Sequence, residues 1–346
     1  MFVIVPLAGF GTRLRPHTYT KPKPLVNVAG KPVLGHLLDR FAGLDIERLI
    51  FVVGYLGDQI REYVESNYDL HTRYVEQREL LGQAHAIGLT KPHVEGPVLI
   101  AFVDTIFEAD LSKLKHTRSD GVIYVKEVED PRRFGVVTLE NGRIRRFVEK
   151  PSQPVSNLAV IGLYFIKPYQ LLFECIAELQ RRNLRTGGEF FLADALQLMV
   201  DLGIDLEART VDDWKDCGKP DTLLHTNRYL LERTVDNGAE REGCIIVRPT
   251  HIAPDAVVER SVVGPHVYVG PGCHIRHSIV GPYVSLATGA IVEESIVKDS
   301  IVNEHAEISE TMLARSLVGQ HAIVHGAFER FNVGDSSEID SSVQTL

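Results

Sequence analysis

Residues 9–34, GFGTRLRPHTYTKPKPLVNVAGKPVL, follow the apolar run Phe2-Val3-Ile4-Val5 and carry Arg13, Arg15, Lys21, Lys23 and Lys31 without one acidic residue. The apolar run reads as a fully buried parallel strand. Gly9 and Gly11 then let the backbone turn tightly and bring its N–H groups close to anionic oxygens, so side chains at these two positions are expected to obstruct a ligand. A strand, a glycine turn and a cluster of cations together describe a polyphosphate site on an α/β fold.

The charge distribution points the same way. The chain has 37 Lys and Arg against 46 Asp and Glu, a formal net charge of -9, yet residues 1–38 contain no Asp or Glu. A local positive field on an acidic protein suits a small, highly charged ligand, whereas nucleic acid calls for an extended basic face. Two familiar phosphate loops are excluded by spacing. A Walker loop needs GxxxxGK[ST], and the third glycine of the dinucleotide fingerprint GxGxxG falls at Leu14.

At 346 residues, 44% hydrophobic and 24% charged, the chain has the composition of a globular protein of two domains, expected at 1–236 and 244–346. The N-terminal apolar run is short, has no basic leader or small-residue cleavage site, and flows into the glycine turn, so it reads as a strand and not a signal peptide. No apolar run approaches a membrane span. Cys175, Cys217, Cys244 and Cys273 are far apart and share no metal-binding spacing, which suits a cytoplasmic protein with reduced thiols. Cys217 reads as a packing residue, because no paired base accompanies it.

From residue 1 to about 235, apolar strands alternate with helical patterns, which predicts a mixed, mostly parallel sheet covered on both faces. The first helix is expected over Pro32–Gly43, a strand over Leu49–Val53, a helix over Asp58–Asn67, a strand over Val98–Val103, and a last helix over Asp221–Val235 behind Pro220. Ligands of such sheets bind at the carboxyl ends of the strands, where the loops after residues 5, 53 and 103 emerge.

Beyond the segment Asp236–Gly243 the periodicity changes. Aliphatic residues recur at intervals of about six: Ile246, Ile252, Val258, then Val263, Val269, Ile275, then Val280, Leu286, Val292, then Val302, Ile308, and Val318, Val324. Gly264-Pro265, Gly270-Pro271 and Gly281-Pro282 mark corners. This is the pattern of a left-handed parallel β-helix of hexapeptide repeats, with tight corners where the interval drops to five and with Phe328–Val343 expected to cap its open end.

Over its full length residues 9–34 resemble the signature of the sugar-phosphate nucleotidyltransferases, GxGTRLxPxTxxxPKPLxxVxxKPxL, matched in order without a gap. Pro6-Leu7-Ala8 departs from the family's Leu-Ala-Ala or Leu-Ala-Gly, and a proline is tolerated where the chain leaves the sheet. The family plan most like this chain is that of the glucose-1-phosphate thymidylyltransferases with a C-terminal β-helix. The resemblance implies transfer of a nucleoside monophosphate from dTTP or UTP to a sugar 1-phosphate, glucose 1-phosphate first, giving an NDP-sugar and pyrophosphate. The nucleophile is already anionic, so the protein has to position two polyanions and neutralise charge, without a nucleophilic side chain or strong base.

Residue by residue, the resemblance places Gly9, Gly11 and Thr12 against the triphosphate, Arg13 on it, and Lys23 on the α-phosphate. Asp104, before Thr105-Ile106-Phe107, is similar to the aspartate of the family's Gly-Asp-Asn-Ile-Phe segment, with Val103 and Thr105 replacing its neighbours. Asp216, in Trp214-Lys215-Asp216-Cys217-Gly218, matches a second aspartate, and the pair is implied to hold Mg²⁺. Gln77 and Gly82 match the segment that reads a pyrimidine edge, a carboxamide being able to match a donor and an acceptor at once. On the sugar side Gly135, Glu149, Lys150, Gly162, Tyr164 and Glu189 correspond to family positions, with Lys150 implied on the sugar phosphate and Glu149 on sugar hydroxyls.

Three other readings share parts of this pattern. A mannose-1-phosphate guanylyltransferase has the same two-domain plan, but purine readers usually lack Gln at the position of Gln77. Acyl transfer in the β-helix would draw on His266, His274, His305, His321 or His325, each of which reads more simply as a polar residue on the outer face. A non-catalytic regulatory homologue is disfavoured by the joint presence of Arg13, Lys23, Asp104, Lys150 and Asp216. The β-helix is also where a homo-oligomer would form.

Overall fold

The structure is a computed structural model that describes residues 1–153 and 155–326, so the expected cap at Phe328–Val343 lies outside the described residues. The chain divides into two units, Met1–Thr234 and Val235–Leu346.

In the first unit, β1 (Phe2–Pro6) runs into the glycine loop, which leads to a small hairpin of β2 (Asn27–Val28) and β3 (Lys31–Pro32) and then to α1 (Val33–Asp39). There follow β4 (Arg48–Val53), α2 (Gly57–Asn67), β5 (Thr72–Glu76), α3 (Gln83–Gly88), β6 (Val98–Ala101), β7 (Thr105–Glu108) and β8 (Gly121–Glu127). The second half adds β9 (Gly135–Glu140), β10 (Arg143–Glu149), β11 (Leu158–Ile166), α4 (Tyr169–Arg181), α5 (Leu192–Asp201), β12 (Leu206–Thr210), β13 (Asp213–Asp216) and α6 (Pro220–Leu231).

Nine strands form one sheet in the order β5-β4-β1-β6-β11-β8-β12-β10-β9, with an additional β11–β9 pairing. β1 is parallel to both β4 and β6, Phe2 lying opposite Arg48 on one side and Val98 on the other. Only β11 and β10 run against the other strands. Both faces of β1 are buried: Phe2 and Ile4 join a core with Ile87 of α3, Ile176 of α4 and Leu196 of α5, while Val3 and Val5 are equally inaccessible. This double burial is why the strand reads as a continuous apolar run.

Three element boundaries differ from the sequence reading by two residues or more. α6 ends at Leu231, four residues before Val235, where the Arg233 and Thr234 N–H groups donate three residues back in tight turns. α1 ends at Asp39 with Pro32 as its N-cap, and the chain up to Gly43 continues as tight turns in which Arg40 and Phe41 N–H donate three residues back. β6 ends at Ala101, because the Phe102 N–H turns to the Gly162 carbonyl at 2.8 Å, where the β11 register breaks between Val160 and Tyr164. Asp104 therefore sits in a turn. β7 leaves the main sheet and pairs antiparallel with β13, placing Asp216 opposite Thr105.

In the second unit three five-stranded parallel sheets wind round one core. One coil advances 17 residues at first, Ile245 pairing with Val262 and Val262 with Ile279, and 16 later, Ile296 pairing with Met312. Ile252, Val258, Val263, Val269, Ile275, Val280, Leu286, Val292, Val302, Ile308 and Val318 are all buried in that core, with Ile246 and Val324 packed at its ends. The hexad series had passed over Val297, which is fully buried between Val292 and Val302. Corner serines support the turns: Ser261 Oγ accepts from the Ser278 N–H at 3.1 Å, and Ser278 Oγ from the Ser295 N–H at 3.1 Å. The architecture is a parallel β-helix of hexapeptide type. Outward aromatic groups stack on the next coil, His251 on Tyr268, His266 on Tyr283 and His305 on His321, at centroid separations of 5.0, 5.1 and 5.2 Å.

Ile275 lies at the middle of this stack, so Ile275→Ala is expected to cost about 2–4 kcal/mol through lost burial and the cavity left behind, measured as a fall in the urea midpoint of full-length protein. A loss below about 1 kcal/mol would show that the coil collapses to fill the space.

Candidate active site

A cavity of about 350 Å³ opens at the carboxyl end of β1, a volume suited to a nucleotide-sized ligand. Gly9, Gly11, Thr12, Arg13, Lys23, Gln77, Gly82, Asp104 and Glu189 line it, drawn from chain segments far apart in sequence.

The glycine loop is locked by its own lysine. Gly11 has a left-handed φ of 61°, and a Cβ there would fall 2.8 Å from Lys23 Cβ, so any side chain would drive the lysine segment away. Thr18 donates its hydroxyl to the Gly11 carbonyl at 2.9 Å, while Tyr55 and Gln59 donate to the Tyr19 and Thr20 carbonyls at 3.1 and 3.0 Å. The expected reason for the glycines is corrected in part: Gly11 is required by packing within the loop, and only Gly9 faces open space in which a side chain would compete with a ligand. Lys23 Nζ lies 3.4 Å from Asp104 Oδ2. Lys31 instead pairs with Asp39, and Arg15 covers the Tyr19 ring at 5.0 Å.

Asp104 and Asp216 come together through the β7–β13 ribbon, the Cys217 N–H donating to the Asp104 carbonyl at 2.8 Å. Asp216 Oδ1 accepts from the Gly218 N–H at 2.9 Å. A Cβ at Gly218 would fall 2.8 Å from that oxygen and 3.0 Å from an Arg13 guanidinium nitrogen, so a side chain there would push one of these two groups aside. Gly218 lines the cavity and Asp216 does not. No third His, Cys, Asp or Glu joins these carboxylates among the described residues. A sparse set of hard oxygen donors beside a cationic phosphate loop fits Mg²⁺, which fills its shell with phosphate oxygens and water, and does not fit zinc. Burial pushes the Cys217 thiol up to about 12, so it carries no thiolate at neutral pH.

At the other wall Gln77 is 5% exposed; its N–H donates to the Val53 carbonyl at 2.8 Å and its Nε2 lies 3.2 Å from the Gly82 carbonyl. Gly82 has φ 108°, and a Cβ there would fall 2.7 Å from the Phe190 backbone, which bonds to Leu81 and Ala84. This glycine thus serves the joint between two chain segments as well as the cavity.

Gly135, Glu149, Gly162 and Tyr164 lie on β9, β10 and β11 and Lys150 directly follows β10; none of the five lines the cavity, although Gly162 packs against Phe102, which does. Glu149 lies opposite Gly135, whose Cβ would stand 2.8 Å from its Oε2. Burial raises the Glu149 pKa, the Lys150 ammonium at 3.3 Å opposes this, and Asp194 and Glu189 add to the rise. Lys150 lies over the Phe191 ring at 5.2 Å. Burial also raises Tyr164 and Asp194, the latter accepting from the Thr186 hydroxyl at 3.0 Å. Asp194 and Gly218 escaped the sequence reading. Asp194 carries no local signal, and Gly218 stood in view within the segment around Asp216 without a role being drawn from it.

A glycine phosphate loop with facing carboxylates on a mostly parallel sheet, joined to a hexapeptide β-helix, defines a nucleotide-handling enzyme. Residues 3–233 match the Nucleotidyl transferase family and residues 226–299 the GlmU-like C-terminal hexapeptide family, and the chain belongs to the nucleotidyl transferases. It is 35% identical over 243 residues to the UTP–glucose-1-phosphate uridylyltransferase AglF of Haloferax volcanii, covering 68% of this chain and 98% of that one. It is 33% identical over 293 residues to a glucose-1-phosphate thymidylyltransferase of Streptomyces griseus, covering 77% and 81%. A UDP-glucose pyrophosphorylase solved with UDP-glucose shares the fold, with a TM-score of 0.60 at 23% identity over 67% of this chain and 99% of that one.

Because the folded pKa of Glu149 exceeds its unfolded value, folding takes up protons there; stability is highest below the unfolded pKa and declines as pH rises through the folded one. Glu149→Gln is therefore expected to be more stable than wild type at pH 7, with the difference gone at pH 4, in urea unfolding at both pH values. A variant less stable at pH 7 would mean that the Lys150 contact outweighs burial.

Proposed function

We propose that this nucleotidyltransferase makes an NDP-sugar, transferring the nucleoside monophosphate of dTTP or UTP to a sugar 1-phosphate, glucose 1-phosphate first, with release of pyrophosphate. The observation that carries this reading is the cavity itself: Arg13 and Lys23 at one end, Asp104 beside Lys23, and Gln77 with Gly82 at the other.

In the reaction an oxygen of the sugar phosphate attacks the α-phosphorus, the bond from that phosphorus to the bridging oxygen breaks, and pyrophosphate carries the electron pair away. No proton has to be removed from the nucleophile, so the transfer calls for positioning and charge neutralisation and not for a general base. Lys23 is assigned to the α-phosphate and Arg13 to the rest of the triphosphate, where fixed positive charge favours the in-line geometry. Lys150 is assigned to the sugar phosphate, and Glu149 and Glu189 to sugar hydroxyls. Asp104 and Asp216 would hold Mg²⁺, which when bound supplies further neutralisation of phosphate charge.

A homo-oligomer through the β-helix is supported by one outward column, Ile245, Ile279 and Met312, whose side chains are 63%, 45% and 73% exposed. The four free cysteines accord with a reducing compartment.

Pyrophosphate release with Mg²⁺ and glucose 1-phosphate, compared across dTTP, UTP, GTP, CTP and ATP, tests the proposal, turnover being expected with dTTP or UTP. Silence with all five, repeated with other sugar 1-phosphates, would refute it. Lys23→Ala is expected to lower kcat by about 10²-fold or more, and Asp104→Asn to abolish turnover with the fold intact by circular dichroism. Gln77→Ala should act mainly on the KM for the triphosphate, and equal small losses in all three variants would remove the loop from the reaction.

A further inference from the structure

The Gln77 carboxamide touches two groups in addition to facing the cavity, and their chemistry decides which way round it stands. The Gly82 carbonyl, 3.2 Å away, can only accept a hydrogen bond, so the carboxamide atom facing it is the Nε2 amino group. The same Nε2 lies 3.0 Å from His85 Nδ1, in the first turn of α3. Nε2 therefore gives one proton to Gly82 and the other to His85, and Nδ1 is the unprotonated ring nitrogen. Burial lowers the pKa of His85 and favours this neutral form, while the Glu79 carboxylate and backbone act on the ring in the opposite sense. With both amino protons engaged, Oε1 is the only polar carboxamide atom left to face a ligand.

We propose that His85 is a positioning residue for the nucleotide base, locking Gln77 so that an acceptor faces the cavity. Resting on the nucleotidyl-transfer reading of the cavity, this selects a base whose ring nitrogen carries a proton, as N3–H of uracil or thymine does. Cytosine presents a lone pair at N3, and two acceptors would then face each other. A glutamine free to rotate would offer its amino group to that lone pair and lose the distinction, so selectivity resides in the lock as much as in Gln77. His85 itself does not line the cavity and acts only through Gln77.

The test is calorimetric titration of UTP, dTTP and CTP with Mg²⁺ into full-length wild type, His85→Leu and His85→Asn, with pyrophosphate release at saturating UTP measured alongside. Wild type is expected to favour UTP and dTTP over CTP. His85→Leu should shrink that ratio about tenfold, the worth of one hydrogen bond, while kcat at saturating UTP stays within about twofold. His85→Asn should keep the wild-type ratio, because Oδ1 offers an acceptor where Nδ1 stood. Should His85→Leu fail to fold, His85→Met, of similar bulk and only weakly accepting, is judged by the same ratio. An unchanged ratio in the apolar variant, an equal loss in His85→Asn, or a wild type that binds CTP as tightly as UTP overturns the inference. A wild type that discriminates between the triphosphates but releases no pyrophosphate would leave the lock standing and bring down the transfer reaction alone.

Discussion

The contact between Lys23 and Asp104 joins the glycine loop to the turn after β6 at the cavity wall. A lone carboxylate there would make the cavity repel anions, and the ammonium 3.4 Å away offsets that charge. The contact also depends on features that have nothing to do with charge. Gly11 must be glycine for Lys23 to approach, and β6 must end at Ala101 so that Asp104 falls in a turn with its carboxylate turned to the loop. Backbone packing thus sets the distance between cation and carboxylate, and the electrostatics follow from it.

The rest of the site is built by crossing connections. β7 leaves the sheet to meet β13, which returns Asp216 and Gly218 from the end of the unit to the first loop. The segment before α5 returns Phe190 to Gly82 and sets Glu189 on the cavity wall. On the far side the antiparallel strands β10 and β11 carry Glu149 and Tyr164, where burial holds ionisable groups away from their ordinary pKa values.

Legibility followed the range of the interaction. The glycine loop could be read because strand, turn and cations are contiguous between Phe2 and Leu34, and the β-helix because each coil repeats the same inward aliphatic positions. Val297 was missed for the same reason, since the spacing around it departs from six while its burial does not. Asp194 and His85 could not be read at all. One is an acid in the first turn of a helix and the other a histidine beside alanines, and each takes its significance from a residue on another element, Thr186 or Gln77.

The class of chemistry and the two architectures were legible from the sequence, because charge segregation and periodicity are properties of neighbouring residues. Folding is what sets Asp104 and Asp216 on neighbouring backbone, packs Gly11 against Lys23 and Gly82 against Phe190, brings Gly218 against Asp216 and Arg13, and gives the Gln77 carboxamide its contacts with Gly82 and His85. These depend on distances between segments separated by up to two hundred positions, which local spacing does not encode and which only closure of the sheet and its crossovers brings to hydrogen-bonding range.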